Sequence, residues 1–279
     1  MRRIPALVPT LVLCAVMPAA AQVLTLTPQF SGNSVTASIQ LPGGVEADLS
    51  IIFEQVVGLN SNALVITAAT VDPRDRSLLS RFPDSVLVTL PASFPVLVHI
   101  EPTPSSALSF SGIYTLSLYT HNLTLTANSP LRLYRSPGGG AFQDMTGFLQ
   151  SGSTRAGGSG PGFSDFLIAA DTRPTDSVIA GKFDALQNFL SSNSASMNAA
   201  VASDLQQRLT QARGLYAQGA IGPAINAVSG FADTVKQQSG ANIPDVWRAN
   251  GSSVNIAGLL RSAADTLKFS LAAKSNGAP

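Results

Sequence analysis

Residues 163–190 read FSDFLIAADTRPTDSVIAGKFDALQNFL, and the hydrophobic period changes inside them. Phe163–Ala169 is a short apolar run preceded by glycines and a proline, as befits a strand. After Pro174 the spacing differs: Ile179, Phe183, Leu186 and Leu190 recur at intervals of four, three and four, which lines one face of a helix. Pro174 and Asp176 supply the start signals for that helix. A domain boundary is therefore expected between Ala170 and Asp176, with strands before it and helices after it.

Upstream, Ser34–Gln40 alternates Val35, Ala37 and Ile39 with Thr36, Ser38 and Gln40, the period of a half-buried strand. Ala47–Phe53 does the same. Leu64–Val71, Ser85–Leu90, Phe94–Glu101, Tyr114–Thr120, Leu123–Thr126 and Leu131–Arg135 are further strand candidates. Turn residues punctuate them at Pro42-Gly43-Gly44, Pro102-Thr103-Pro104 and Pro137–Gly140. Short alternating strands without helical patterns between them predict an antiparallel β-sandwich.

Downstream, a second stripe runs Val201, Leu205, Leu209, Ala212 and Tyr216, and a third Ile225, Val228, Phe231 or Ala232, and Val235. The fourth runs Ile256, Leu259, Leu260, Ala263, Leu267 and Leu271, with Ser252 and Ser253 as its expected caps. Four amphipathic helices with short connections make a small bundle, and Phe231 is expected to anchor its core. The fold class is α+β with segregated parts: a sandwich over 22–172, a helical bundle over 173–274 and a tail over 275–279. Acidic side chains outnumber basic ones before Arg173, and the reverse holds from Arg173 onward, a charge split that favours docking of the two parts.

Leu205, Leu209, Ala212, Gly219, Ala224, Ile225, Asn226, Val228, Phe231, Val235, Ser239, Gly240 and Ile243 keep a defined spacing, G-x4-A-I-N-x-V-x2-F-x3-V-x3-S-G-x2-I in its later part. This segment resembles the FIMAH-type domain, a helical module at the C-termini of exported bacterial proteins. The resemblance implies an accessory domain and carries over no catalytic residues. In that family the final helix follows closely, whereas here Pro244–Asn255 intervenes. The whole chain is also similar to exported proteins of Gram-negative bacteria.

The N-terminus fits that resemblance. Arg2 and Arg3 precede an uncharged, mostly apolar run over residues 4–17, and Ala19-Ala20-Ala21 forms an A-x-A site. That order is a secretory signal peptide, with cleavage expected after Ala21. The run is shorter than the roughly 20 residues a membrane-spanning helix needs. Cys14, the only cysteine, follows Leu13 where a lipobox has a small residue. The expected location is periplasmic or extracellular, with no transmembrane segment in the mature chain. Charged residues are 12% of the sequence and hydrophobic ones 45%, with a net charge of +1. A typical soluble chain is roughly 25% charged. This balance excludes a polybasic nucleic-acid binder and a chain disordered throughout.

Chemistry is sparse. His99 and His121 are the two histidines, and no hydrolase, phosphate-binding or dinucleotide fingerprint occurs. Alternation from Phe94 to Glu101 puts His99 and Glu101 on the face away from the core, where Glu101 can orient the imidazole. His121 is expected at an exposed strand end. Glu46 with Asp48, or Asp72 with Asp75, supply oxygen ligands of the type calcium takes, but Arg74 and Arg76 are expected to neutralise the second pair. Gly157–Gly162 reads as a flexible loop, and Trp247 as a plug of the bundle. Asn122 and Asn250 stand in chance glycosylation sequons. No catalytic, cofactor-binding or metal-binding residue is assigned. The expected role is an exported non-catalytic protein whose sandwich meets a protein or polysaccharide. The alternative is a metal-independent hydrolase with its site on the sandwich.

Overall fold

A computed structural model describes residues 23–126, 128–151 and 153–277. The signal peptide expected over residues 1–21, with Cys14, lies outside the described residues. The strands are β1 (Val23–Thr25), β2 (Gln29–Ser31), β3 (Ser34–Leu41), β4 (Val45–Val57), β5 (Leu64–Thr70), β6 (Val88–Thr89), β7 (Val96–Pro102), β8 (Ser109–Thr120), β9 (Leu131–Ser136), β10 (Gln143–Asp144), β11 (Phe148–Gln150), β12 (Thr154–Gly160) and β13 (Asp165–Asp171). A one-turn helix α1 (Arg76–Leu79) interrupts them. Helices α2 (Thr175–Asn193), α3 (Ala199–Ala217) and α4 (Ile221–Gln238) follow, then a short strand β14 (Val246–Arg248) and helix α5 (Ile256–Ser275).

The strands form two antiparallel sheets. One runs β1-β5-β7-β13-β9-β10 with β6 paired to β13; the other runs β11-β12-β8-β4-β3-β2 with β14 paired to β8. The inner faces meet in one apolar core. The alternation of β3 and β4 buries Val35, Ile39, Leu49, Ile51 and Phe53 against Ile66, Val98, Leu133, Phe166 and Ile168 of the opposite sheet. A smaller cluster of Phe82, Tyr134, Phe142 and Leu167 fills the outer face under α1. The helices enclose a separate core of Ile179, Phe183, Leu205, Leu209, Val228, Phe231, Val235, Leu260 and Leu267. Phe231 is buried at its centre, as its helical register requires.

Several sequence expectations are corrected. The glycine-rich stretch expected as a loop is largely strand: β12 pairs with β8 from Thr154 to Gly160 and with β11 on its other side. Its glycines are there for close approach. A Cβ on Gly158 would overlap the Met145 carbonyl, and one on Gly160 the Tyr114 phenol. Leu123–Thr126 forms no strand, although Leu123 is buried in the core. Ser85–Leu90 contains only the two-residue β6, because Asp84 accepts the backbone N–H groups of Val86 and Leu87 in a turn. Asn255, not Ser252 or Ser253, caps α5 by accepting the Gly258 N–H at 2.7 Å.

Trp247 does not plug the bundle. The Pro244–Asn255 insertion carries β14 back to the sandwich, where it pairs with Ser109–Ser111 of β8. Trp247 stacks on Phe110 at 5.1 Å and meets the edge of Phe163 at 5.1 Å. Trp247 thus packs against the sandwich core, and the helical part is tied to the sheets through chain that the sequence assigned to the bundle.

Helix α5 completes the attachment. One side (Leu260, Ala264, Leu267 and Leu271) faces the bundle core. Along another, Asn255 donates to the Gly112 carbonyl at 2.6 Å, and Arg261 reaches Glu54. Further along, Asp265 accepts from Ser159 at 2.9 Å and Thr266 donates to the Asp144 carbonyl at 3.2 Å. A polar tie at successive turns holds the helix against β8 and β12.

Candidate functional site

The two histidines fall in different settings. His99 on β7 sits opposite Asp165 on β13. Its Nδ1 is 2.7 Å from Asp165 Oδ1, a hydrogen bond, whereas its Nε2 is 3.6 Å from Glu101 Oε2, so Asp165 orients the ring and Glu101 contributes only a nearby charge. Arg81 closes the chain, 3.0 Å from the other Asp165 oxygen, while also donating to Ser136 and the Gly140 carbonyl and lying 4.4 Å over Phe142. Partial burial opposes the imidazolium, but the hydrogen bond and charge of Asp165, followed by the neighbouring Glu101, hold the His99 pKa above the ordinary histidine value. Both ring nitrogens face carboxylates. A Ser-His-Asp relay needs a hydroxyl on one side, and Ser136 lies beyond Arg81 instead. This row of charges fastens the segment after α1 to the sheet.

His121 is exposed, and its Nδ1 meets Ser153 Oγ at 2.7 Å. That is the spacing of a nucleophile and base, but no described carboxylate lies within 4.0 Å of the ring to orient it. Asp48 accepts from Ser38 across the strand pair at 2.8 Å. Asp75 caps α1 through the Ser77 N–H, and Asp72 accepts the Arg74 N–H, both at 2.8 Å. Arg74 and Arg76 form no ion pair with them among the described residues, correcting the expected neutralisation; their turns use backbone donors instead. No group of three or more His, Cys, Asp or Glu side chains able to hold a metal occurs among the described residues. Asn122 spends its side chain on the Gly44 carbonyl and the Glu46 N–H.

The described residues converge instead at the seam, where α2 and α5 close over the meeting of β9–β10 with β12. A cavity of about 260 Å³ lies there. Its polar wall holds Arg135, Arg173, Lys182, Asp144, Ser159, Ser262 and Thr266; its apolar wall holds Phe142, Met145, Val178, Ala185, Phe189, Leu259 and Ala263.

Each charge has a structural origin. Lys182 sits on the apolar stripe of α2 between Ile179 and Leu186, so the helix carries it inward. Its Nζ lies 2.6 Å from Asp144 Oδ2 and donates to Thr266 Oγ1 at 2.7 Å and Ser270 Oγ at 2.8 Å. Burial pushes the Lys182 pKa down, and Asp144 opposes that shift. Asp144 is held in turn by the Thr146 N–H at 2.8 Å. Arg173 grips Asp171 through Nε at 2.9 Å and Nη2 at 2.7 Å, and Asp171 also accepts from Tyr134 at 2.7 Å. Burial would raise the Asp171 pKa, but Arg173 and Tyr134 hold it below the usual carboxylate range.

Arg135 differs from both. The alternation of β9 puts it on the face of Leu131 and Leu133, and it is 9% exposed. Among the described residues no carboxylate lies within 4.0 Å of its guanidinium. Its polar neighbour is the Tyr114 phenol, which itself donates to the Gly162 carbonyl at 2.6 Å. Burial without a counter-charge lowers the Arg135 pKa.

Leu259 and Ala263 were read from the sequence only as part of a helix stripe, and none of the charged residues of the cavity was singled out as a site residue. The signal was nevertheless present: Leu131-x-Leu133-x-Arg135 places a charge on the apolar face of a strand, and Ile179–Lys182–Leu186 places one on the apolar face of a helix. One family model matches residues 9–274 and is described as a family of unknown function, DUF6689. No curated protein matches the chain, and no solved structure matches it.

Proposed function

The chain belongs to that family, and we propose that it is an exported, non-catalytic binding protein whose helical part, a FIMAH-type accessory module, shapes a ligand cavity against the sandwich. The observation that carries this reading is the seam itself: α2 and α5 leave about 260 Å³ open beside a buried guanidinium. A cleft with apolar walls and a few convergent polar groups, placed between two parts of a chain, is the usual form of a small-molecule site. Its other charges are tied into ion pairs and backbone contacts, which fits holding a ligand rather than transferring protons. Export is supported by the basic start, apolar run and A-x-A site of residues 1–21.

The full-length chain produced in a Gram-negative host tests both halves. Mass spectrometry is expected to find a mature N-terminus at Gln22 in the extracytoplasmic fraction; a retained Met1 there, or a lipid-modified Cys14, overturns simple export. Thermal unfolding of that material is expected to shift upward with a protein-free metabolite extract of the host. No shift at any extract concentration overturns the binding role.

A further inference from the structure

Arg135 stands apart from the other arginines that tie the fold together. Arg81, Arg173 and Arg261 each end on a carboxylate, at 3.0, 2.7 and 2.6 Å respectively. Arg135 is more deeply buried than the bulk of surface arginines, faces a cavity, and meets a neutral phenol. A buried guanidinium without a counter-ion is a costly arrangement. It is explained if an anion completes the site.

We propose that the seam cavity binds a small organic monocarboxylate, with the carboxylate on Arg135 and the hydrocarbon body against Met145, Val178, Phe189 and Leu259. This goes beyond the binding role above, which it presupposes, by naming the ligand's chemistry.

Charge sets the valence. Of the three cations that line the cavity among the described residues, Lys182 is matched by Asp144 and Arg173 by Asp171, so one positive charge is left over. A dianion would be left with an unmatched charge in a desolvated site, whereas a monoanion closes the balance. Geometry selects the carboxylate. A guanidinium presents parallel N–H groups that match its two oxygens. Ser262 Oγ, buried and without a hydrogen-bond partner among the described residues, lines the same cavity and supplies a further donor. The remaining lining is largely hydrocarbon, which suits an aliphatic or aromatic body better than a hydrated inorganic ion. The volume, near the lower end of the roughly 300–1,000 Å³ typical of ligand sites, limits the ligand to a short acid.

Isothermal titration calorimetry on the mature chain, with octanoate, phenylacetate, 1-octanol and inorganic phosphate as probes, tests the assignment. At least one acid is expected to bind, with octanol at least about tenfold weaker than octanoate if octanoate is the binder. Arg135→Met is expected to weaken the bound acid by at least about thirtyfold, the scale for removing one partner of a buried charge pair. Arg135→Lys should fall between, since it keeps the charge and loses the fork. Binding of neither acid at millimolar concentration, phosphate binding tighter than both, or equal affinity for Arg135→Met overturns the proposal. Should Arg135→Met not fold, carboxyl-labelled octanoate decides the matter by NMR on the native chain: its titration midpoint should drop on binding, and an unchanged midpoint overturns the assignment. Stabilisation by metabolite extract without binding of either acid rejects the ligand class alone; failure of both rejects the cavity as a site.

Discussion

Glu54 and Arg261, 207 residues apart in sequence, meet as a two-pronged ion pair at 2.6 and 2.7 Å across the joint between sheet and helix. A bulge in β4 between Phe53 and Gln55 aims Glu54 outward, and Gly112, at a φ of 75°, leaves room for its carboxylate where a Cβ would stand. The acid comes from the sandwich and the cation from the helices. The Asp144–Lys182 pair repeats that polarity, so the charge split along the chain is used for docking.

Partial burial would raise the Glu54 pKa, but the hydrogen bond and charge of Arg261 lower it below the ordinary glutamate value. A carboxyl depressed in the folded state stabilises above its unfolded pKa of about 4.3 and loses that contribution as pH falls through the folded value. Glu54→Gln is expected to cost about 1–3 kcal/mol at neutral pH, the scale of hydrogen bonds to charged groups. Urea unfolding at pH 7 and pH 3 checks this: the gap between native and variant should narrow in acid.

The Lys182–Asp144 pair should behave differently, being buried on both sides. Lys182→Met alone leaves a carboxylate without its cation and is expected to cost about 3–5 kcal/mol. Adding Asp144→Asn removes the stranded charge and keeps the acceptor for the Thr146 N–H, so the double variant should regain most of the loss. Denaturant midpoints of the two variants decide it; equal midpoints would show that the pair does not act as one unit.

Two glycines make a contrasting test of the β12 strand. Gly158→Ala pushes a methyl into the Met145 backbone and should destabilise by about 1–3 kcal/mol or more. Gly214→Ala, inside α3 with nothing within 4 Å of the added methyl, should stabilise by about 0.5–1 kcal/mol. An unchanged or raised melting temperature for Gly158→Ala would contradict the reading of β12 as a packed strand.

Phe231 is 1% exposed in the bundle core. Phe231→Ala is expected to cost about 3–5 kcal/mol through lost transfer energy and the cavity left behind. Circular dichroism at helical wavelengths should show a clearly lower midpoint. An unchanged midpoint would remove the basis of the helical register.

Much of this architecture was legible because periodicity is local. The alternation of β3 and β4, the stripe of Ile179, Phe183, Leu186 and Leu190, and the burial of Phe231 all follow from which neighbours share a face. The position of Trp247 did not, because its three-residue strand is too short to carry a period and gains its partners only by reaching Phe110 and Phe163. Gly157 to Gly160 misled for a related reason: glycine is the usual residue of loops, yet here it permits backbone to lie against backbone, a requirement set by Met145 and Tyr114 from elsewhere in the chain.

By itself the sequence determined the two classes of structure, the place where one gives way to the other and the apolar faces that build each core. Only the tertiary structure decided which charges meet. The strand and helix periods put Arg135 and Lys182 on apolar faces, but whether such a buried charge is paired depends on groups distant in the sequence, as Asp144 is from Lys182. Coulombic and hydrogen-bond contacts act over a few ångströms in space, so sequence spacing cannot reveal that Lys182 and Asp144 are matched while Arg135 is left facing an open cavity.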